Sequence, residues 1–519
     1  MKGTISQWMS SHHCVGVYPY NKTCKIRNLY FNTINSKSVW TYLLSVPTNI
    51  SSTSLHKRIE NLLDEVTVDM SSRKKNVPLP LSVAVFTASR LSINDHALDT
   101  FHPIQYSNTT GDPLNSVFEY VDRHGCRHFR ENHYACVVEG TSGIALRPFF
   151  VLERTMVRNV GHSMWDDCLL FPQVMEDLGL LDSLPEYDLL LFPHNEEWSP
   201  RFSTVFELFA LTSPQMHPVQ SSVISNVGPG TFFFPEIAVG LTGMSPHNLR
   251  PSMAVYGAER RAVWKFRSYI MKALGHPSAD IFRPAASLQN HFLPKKYRFL
   301  YVRSKRPIVN EVELIASVSE QFPMLLVDVV RWEEVGGFGN EVKELIKTHI
   351  FMSGDGTVAI SAFFLPEGAV HIQLGVSRPW GTQIQNDFIY PSFDHIRVLY
   401  YSGMSSDEHS GNPLSGFKVP PSKLNPLIVE AIHLLDKGYH IPVPSTVNMA
   451  PSARLLSFLM IKYKNFGDAI IEDGTWEDVK AFRYQDGLYS FCTKKLRKPC
   501  PESFQEDINT FCVSYGCDP

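Results

Sequence analysis

The sequence predicts an α/β protein made of two Rossmann-like lobes, with parallel sheets facing a central cleft. Three observations lead there. Short apolar runs alternate with amphipathic ones, the pattern of buried strands separated by crossover helices. The rhythm restarts after Arg250-Pro251 in strand-helix units of about 25 residues, as in a doubly wound sheet. The 519 residues have room for two such lobes, since a domain takes about 150.

Residues 1–75 mix short apolar runs with Ser, Thr and Asn and read as an irregular lead-in. Residues 76–245 form the first lobe. Its strands are predicted at Leu81–Phe86, Tyr134–Val138, Phe149–Leu152, Tyr187–Phe192 and Ser222–Ile224, and its helices at Met164–Leu181 and Arg201–Leu211. Residues 246–440 form the second lobe. It opens with a long helix, Tyr256–Leu274, followed by strand Tyr297–Arg303, helix Asn310–Phe322 and strand Met324–Val330. Helix Asn340–Lys347, strand Ile350–Ser353, a short helix Thr357–Phe364 and strand Val370–Leu374 come next. The Ser-, Gly- and Pro-rich stretch Tyr401–Pro426 reads as a loop, before helices at Leu424–Lys437 and Ser452–Lys464. Residues 441–519 hold the last helix and a tail with Cys492, Cys500, Cys512 and Cys517.

Composition narrows the function classes. Lys and Arg number 48 against 51 Asp and Glu, so no net positive field draws nucleic acid or an anionic membrane. No apolar run reaches the ~18 residues of a membrane span, and no basic-then-apolar leader opens the chain. The nine cysteines leave the redox compartment open. Cys14 and Cys24, like Cys126 and Cys136, lie close enough in sequence for disulfides. Glycosylation sequons stand at Asn21, Asn49 and Asn108. There is no P-loop, no G-x-S-x-G, no H-E-x-x-H and no D-x-D.

Three segments carry candidate chemistry. The loop Tyr301-Val-Arg-Ser-Lys-Arg follows a strand, at the sheet edge where open α/β folds bind ligands. Arg303, Lys305 and Arg306 there, beside a helix start, suit a diphosphate; the alternative is a solvated basic loop. In Ser353-Gly-Asp-Gly-Thr357, Gly354 and Gly356 let the backbone approach a ligand, and Asp355 or Thr357 caps a helix. A tight turn explains the same residues. The fragment Gly336-Gly-Phe-Gly-Asn340 is half a dinucleotide fingerprint and lacks its third glycine. In Asn159-Val-Gly-His-Ser-Met-Trp-Asp-Asp167, His162 and Asp166 share a helix face at i,i+4, and Asp167 points about 100° away. This is a candidate general base or a structural histidine on a capped helix.

Taken together, these motifs resemble glycosyltransferase family 61. The likeness rests on Arg303, Arg306, Asn310 and Glu311, the Gly-containing turn, and Phe364-Leu-Pro-Glu-Gly-Ala369. Asn159 with His162, Asp166-Asp167, Val239-Gly-Leu-Thr-Gly243 and Cys24 with Asn28-Leu29 add to it. The family includes plant β1,2-xylosyltransferases and the O-mannose and EGF-domain N-acetylglucosaminyltransferases. The resemblance implies a GT-B fold and inverting transfer of a sugar, GlcNAc or a pentose such as xylose, from a UDP-sugar, and the missing D-x-D makes a metal-independent transfer the expectation. It implies a glycan or glycoprotein acceptor, no cofactor, and the secretory-pathway lumen, with the cytoplasm as alternative.

In this picture Arg303, Lys305 and Arg306 hold the diphosphate, Gly354 to Thr357 cover it, and Ser353 and Asn310 lie at its margin. The acceptor meets Asp166, His162 and Asp167. Two departures stand out. Asp355 replaces the histidine common in the turn, and Gln373 stands where a glutamate is frequent. The competing readings are a family member that binds without turnover and an unrelated nucleotide-dependent α/β enzyme.

Overall fold

The computed structural model describes residues 10–15, 23–34, 37–46, 81–87, 90–91, 118–120, 126–129, 133–136, 141–145, 148–153, 176–180, 188–192, 219–220, 231–239, 260–276, 296–304, 307–354, 356–374, 390–401 and 416–449, with a few isolated positions. The chain divides into two compact units at Ser245/Pro246, with residues 159–165 and 202–208 grouped with the second.

The first unit is a mixed sheet. Its strands are β1 (Ser11–Val15), β2 (Thr23–Ile34), β3 (Lys37–Val46), β4 (Leu81–Thr87), β5 (Arg90–Leu91), β6 (Phe118–Tyr120), β9 (Thr141–Ala145), β10 (Phe149–Glu153), β11 (Asp188–Phe192), β12 (Val219–Gln220) and β13 (Thr231–Val239). A separate antiparallel pair, β7 (Cys126–Phe129) and β8 (His133–Cys136), sets Cys126 opposite Cys136.

The parallel sheet expected of this lobe exists in the run β12-β11-β10-β13. The rest of the sheet is mixed: β13 also pairs parallel with β9 and β3 with β4, but β13 pairs antiparallel with β2, and β2 with both β1 and β3. The irregular lead-in is therefore corrected, because it supplies three strands. The reason lies in its residues. Thr, Tyr, Phe and Ile favour extended backbone, and only two residues separate β2 from β3, a spacing that joins antiparallel neighbours. Cys24 and Ile26 alternate inward with Lys25 and Arg27 outside them, and Cys14 is disulfide-bonded to Cys24 across the β1/β2 pair. Of the first lobe's expected helices, Met164–Leu181 is described at a few positions only, and Arg201–Leu211 lies outside the described residues.

The second unit carries a five-stranded, wholly parallel sheet in the order β15-β14-β16-β17-β18. Its strands are β14 (Tyr297–Val302), β15 (Leu325–Val330), β16 (Ile350–Gly354), β17 (Val370–Leu374) and β18 (Arg397–Tyr400). β16 and β17 are buried at every position, as central parallel strands covered on both faces must be. β15 is an edge, with Leu326 49% exposed. The helices are α1 (Arg260–Ala273), α2 (Glu311–Gln321), α3 (Trp332–Val335), α4 (Phe338–Leu345), α5 (Thr357–Ile360), which runs into a 3₁₀ turn Ser361–Phe364, and α6 (Pro421–Lys437). Gly336-Gly337 is the turn between α3 and α4, so the half fingerprint has a structural job.

Successive residues of β14 mark the two layers. Tyr297 Oη donates to Asp436 of α6 at 2.7 Å, while Arg298 reaches Glu344 of α4 through its carbonyl and carboxylate at 2.9 and 2.5 Å. Neighbours along a strand point to opposite faces, so α6 and α4 cover opposite sides. Leu314 and Val318 of α2 are buried, and α2 packs against α6 and β15. On the α4 side an aromatic cluster closes the core: Phe338 with Phe364 (5.6 Å), Phe266 with Phe363 (5.8 Å) and Phe363 with Phe393 (4.8 Å). Among the described residues no helix is long and apolar enough to cross a membrane.

Candidate functional site

A parallel sheet of order 2-1-3-4-5 reverses its winding between the first and third strands, here β14 and β16. The crossovers leaving these two strands lie on opposite faces, so their carboxyl ends border a crevice where ligands bind in such sheets. The register pairs Val302 with Ser353, which brings the two outgoing loops side by side. β14 delivers Arg303 and Ser304; β16 delivers Gly354, Gly356 and Thr357. A Cβ on Gly354 would stand 2.9 Å from Ser304 Oγ, so close approach is what calls for glycine there. Gly356 meets nothing within 4 Å, but its φ of 106° and ψ of −153° belong to a region only glycine occupies.

Arg303 extends the ladder, its backbone N–H donating to Val330 O at 2.9 Å. Its side chain meets Glu311, the first residue of α2. Nε donates to both carboxylate oxygens, at 2.9 and 3.0 Å, and Nη2 to Oε1 at 2.5 Å. This bond raises the guanidinium pKa above its ordinary value. A planar fork on a carboxylate is orientation-specific in a way that a lysine contact is not.

The start of α2 is held from a distant part of the chain. Pro307 O accepts from Phe417 N–H at 3.0 Å, and Val309 N–H donates to Phe417 O at 2.8 Å. Asn310 donates Nδ2 to Val419 O at 3.0 Å and accepts from Val419 N–H through Oδ1 at 2.9 Å. Both ends of its amide are thereby used on backbone, which makes Asn310 a structural clamp in this structure. Ser353 likewise points inward: its Oγ pairs with His371 Nε2 at 3.0 Å, and both residues are fully buried. Beside them Tyr390 donates its hydroxyl to Gln373 Oε1.

Of the residues expected at the site, Arg303, Gly354, Gly356 and Thr357 gather at the β14/β16 edge. Ser353 and Asn310 adjoin it with their side chains engaged elsewhere. Lys305, Arg306 and Asp355, together with His162, Asp166 and Asp167, lie outside the described residues. Sequence reasoning missed Ser304, whose only signal is its place beside Arg303. It also left Glu311 without a role, although the Asn310-Glu311 pair was part of the motif.

His371 has a measurable consequence. Burial pushes its pKa down to about 3, and burial first, then the charge of Arg267, holds His395 well below the ordinary value as well. Between pH 6.5 and 3 the unfolded chain binds a proton at His371 that the native chain refuses. Stability should therefore fall as pH drops through that window, by about 1.4 kcal/mol per pH unit for one such group. Urea midpoints from pH 6.5 to 4 should decline less steeply in His371→Gln than in the parent. Equal slopes would show that His371 is protonated in the folded protein.

The fold and the edge define a class: a mixed α/β protein whose second unit is doubly wound, with an arginine and two glycines at its switch point. No family model matches the chain. Within that class the chain is similar to Protein O-linked-mannose beta-1,4-N-acetylglucosaminyltransferase 2 of Takifugu rubripes, 27% identical over 245 residues. The match covers 44% of this chain and 39% of that protein, so the chain spans well under half the length of this curated relative. The relative's name is that of the O-mannose branch anticipated from the motifs.

Among solved structures, E. coli heptosyltransferase WaaC with ADP is 11% identical, matched over 55% of this chain and 98% of its own, with a TM-score of 0.24. The same enzyme with ADP-2-deoxy-2-fluoro heptose is 11% identical over 55% and 99%, with a TM-score of 0.20. Overlaps that loose carry no argument. By name, the sequence relative and both structural neighbours are glycosyltransferases.

Proposed function

We propose that this chain is a GT-B-like, inverting and metal-independent glycosyltransferase whose second unit binds the diphosphate of a UDP-sugar. The observation that carries the reading is the β14/β16 switch point, where Arg303 and the Gly354–Thr357 turn leave adjacent strands. The relative's name supports the reaction class and favours GlcNAc as the sugar, with a pentose such as xylose as the alternative. The acceptor is a glycan or glycoprotein.

The acceptor hydroxyl attacks the anomeric carbon as the bond to the UDP oxygen breaks. Asp166, aided by His162 and with Asp167 as the alternative, takes the hydroxyl proton. Arg303, with Arg306 and Lys305, answers the charge growing on the departing diphosphate, a role that needs no metal or other cofactor. The Cys14–Cys24 disulfide suits an oxidising compartment, which supports the secretory-pathway lumen.

A thermal-shift panel of UDP, GDP, ADP, NAD and UDP-sugars, with and without EDTA, tests this. UDP at 100 times its Kd should stabilise the protein by about 2.7 kcal/mol, unchanged by EDTA. A shift with NAD alone would overturn the reading. Loss of the UDP shift in EDTA, restored by Mn²⁺, would overturn its metal-independent part.

A further inference from the structure

We infer that Glu311 is a positioning residue for the anion site, acting through Arg303. The inference rests on the reading of that edge as a diphosphate site. A guanidinium offers five N–H donors along two forked edges, Nε/Nη2 and Nη1/Nη2. Glu311 takes the first edge whole, with Nε at 2.9 and 3.0 Å and Nη2 at 2.5 Å from its carboxylate. The second edge keeps both Nη1 hydrogens and one on Nη2, and among the described residues no acceptor bonds to it. Two phosphate oxygens fit that remaining fork.

The environment makes orientation matter. Arg303 is 35% exposed and Glu311 17%. An arginine this open, left alone, samples many rotamers and loses that freedom when it binds an anion. Glu311 sits at the first position of α2, and the loop before it is clamped to Phe417 and Val419. Its carboxylate is thus fixed in the fold, and it fixes the plane of the guanidinium before any ligand arrives. The same contact read the other way is a mask, with Glu311 standing in for phosphate. The two roles predict opposite signs: removing a positioner weakens anion binding, and removing a mask strengthens it.

The test is a double-mutant cycle on the full chain, with UDP affinity read by calorimetry and melting temperature as the folding control. Glu311→Gln keeps the shape and drops the charge. It should weaken UDP binding about tenfold with little change in melting, and cause no further loss in the Arg303→Ala background. That non-additivity is the signature of acting through Arg303, and a merely structural role would not produce it.

If Glu311→Gln does not fold, Glu311→Asp is read by the same criteria, since its carboxylate stops one methylene short of the fork. Unchanged or tighter binding in the Glu311 variant while Arg303→Ala binds weakly overturns the positioning role and leaves the site intact. A loss that adds to that of Arg303→Ala overturns it too. Unchanged binding in Arg303→Ala overturns the diphosphate reading itself.

Discussion

Arg303→Ala is expected to weaken UDP binding by about 10- to 100-fold, the worth of one charge-assisted hydrogen bond of roughly 1.5–3 kcal/mol at a partly open site. Arg303 follows β14 directly, and β14 is buried at every position but Arg298, so the backbone that delivers the guanidinium is rigid. Its side-chain bonds run to Glu311 alone among the described residues, so truncation removes little packing, and the melting temperature should barely move. Arg303→Lys should bind nearly as poorly. An ammonium keeps the charge but cannot serve Glu311 and a phosphate with two forked edges. Arg306→Ala should behave like Arg303→Ala, and Lys305→Ala should have a smaller effect. Calorimetric titration of UDP into folded variants checks this series. Full affinity in Arg303→Ala and Arg306→Ala together would move the nucleotide away from the β14/β16 edge.

Gly416→Ala should be the most damaging added methyl among the described glycines of the second unit. Its φ is 88°, and a Cβ would stand 2.4 Å from the carbonyl oxygen of Pro307 and 3.1 Å from the Pro307 ring. The first obstacle is backbone, which cannot swing aside as a side chain does. Left-handed strain and overpacking each cost about 1–3 kcal/mol, so a loss of about 2–6 kcal/mol is expected. For a unit of 150–250 residues that means about 2–4 °C of melting temperature per kcal/mol.

Gly438→Ala is the control, because Gly438 has a φ of 73° but nothing within 4 Å of the added carbon. The difference between the two variants isolates the collision. Equal melting temperatures would mean that the 416–419 segment does not press on Pro307. The effect should also reach the site, since the same segment bonds Pro307, Val309 and Asn310 and so seats α2 and Glu311.

The second unit is legible in the sequence because its strands are buried on both faces. Ile350-Phe-Met and Val370-His-Ile-Gln-Leu stand out as apolar runs between amphipathic helices, and the structure puts their ends within a residue of the expected ones. Helix α2 is bounded by Asn310 before it and Phe322-Pro323 after it, and both signals are local. β18 escaped notice because Arg397-Val-Leu-Tyr is too short for any periodicity to register. The strands of residues 11–46 were hidden for a different reason. Their Ser, Thr and Asn content suggests a loop, and it is the pairing of β2 with β13, some 200 residues away, that joins the local β1-β2-β3 group to the rest of the sheet.

Residue chemistry was likewise readable up to the point where partners matter. The local sequence sufficed to place Arg303 at a strand end and two glycines in the facing turn, because strand, turn and cap preferences act over a few residues. Tertiary structure decided the rest. The sheet order that makes β14 and β16 neighbours is a choice among topologies that local propensities leave open. That Asn310 answers to Val419 rather than to a ligand, that Ser353 turns inward to His371, and that Glu311 holds one edge of Arg303 all depend on contacts made in space. Side-chain roles of this kind arise from the particular groups that folding brings within 3 Å, and residues eight to a hundred positions apart carry no local mark of that meeting.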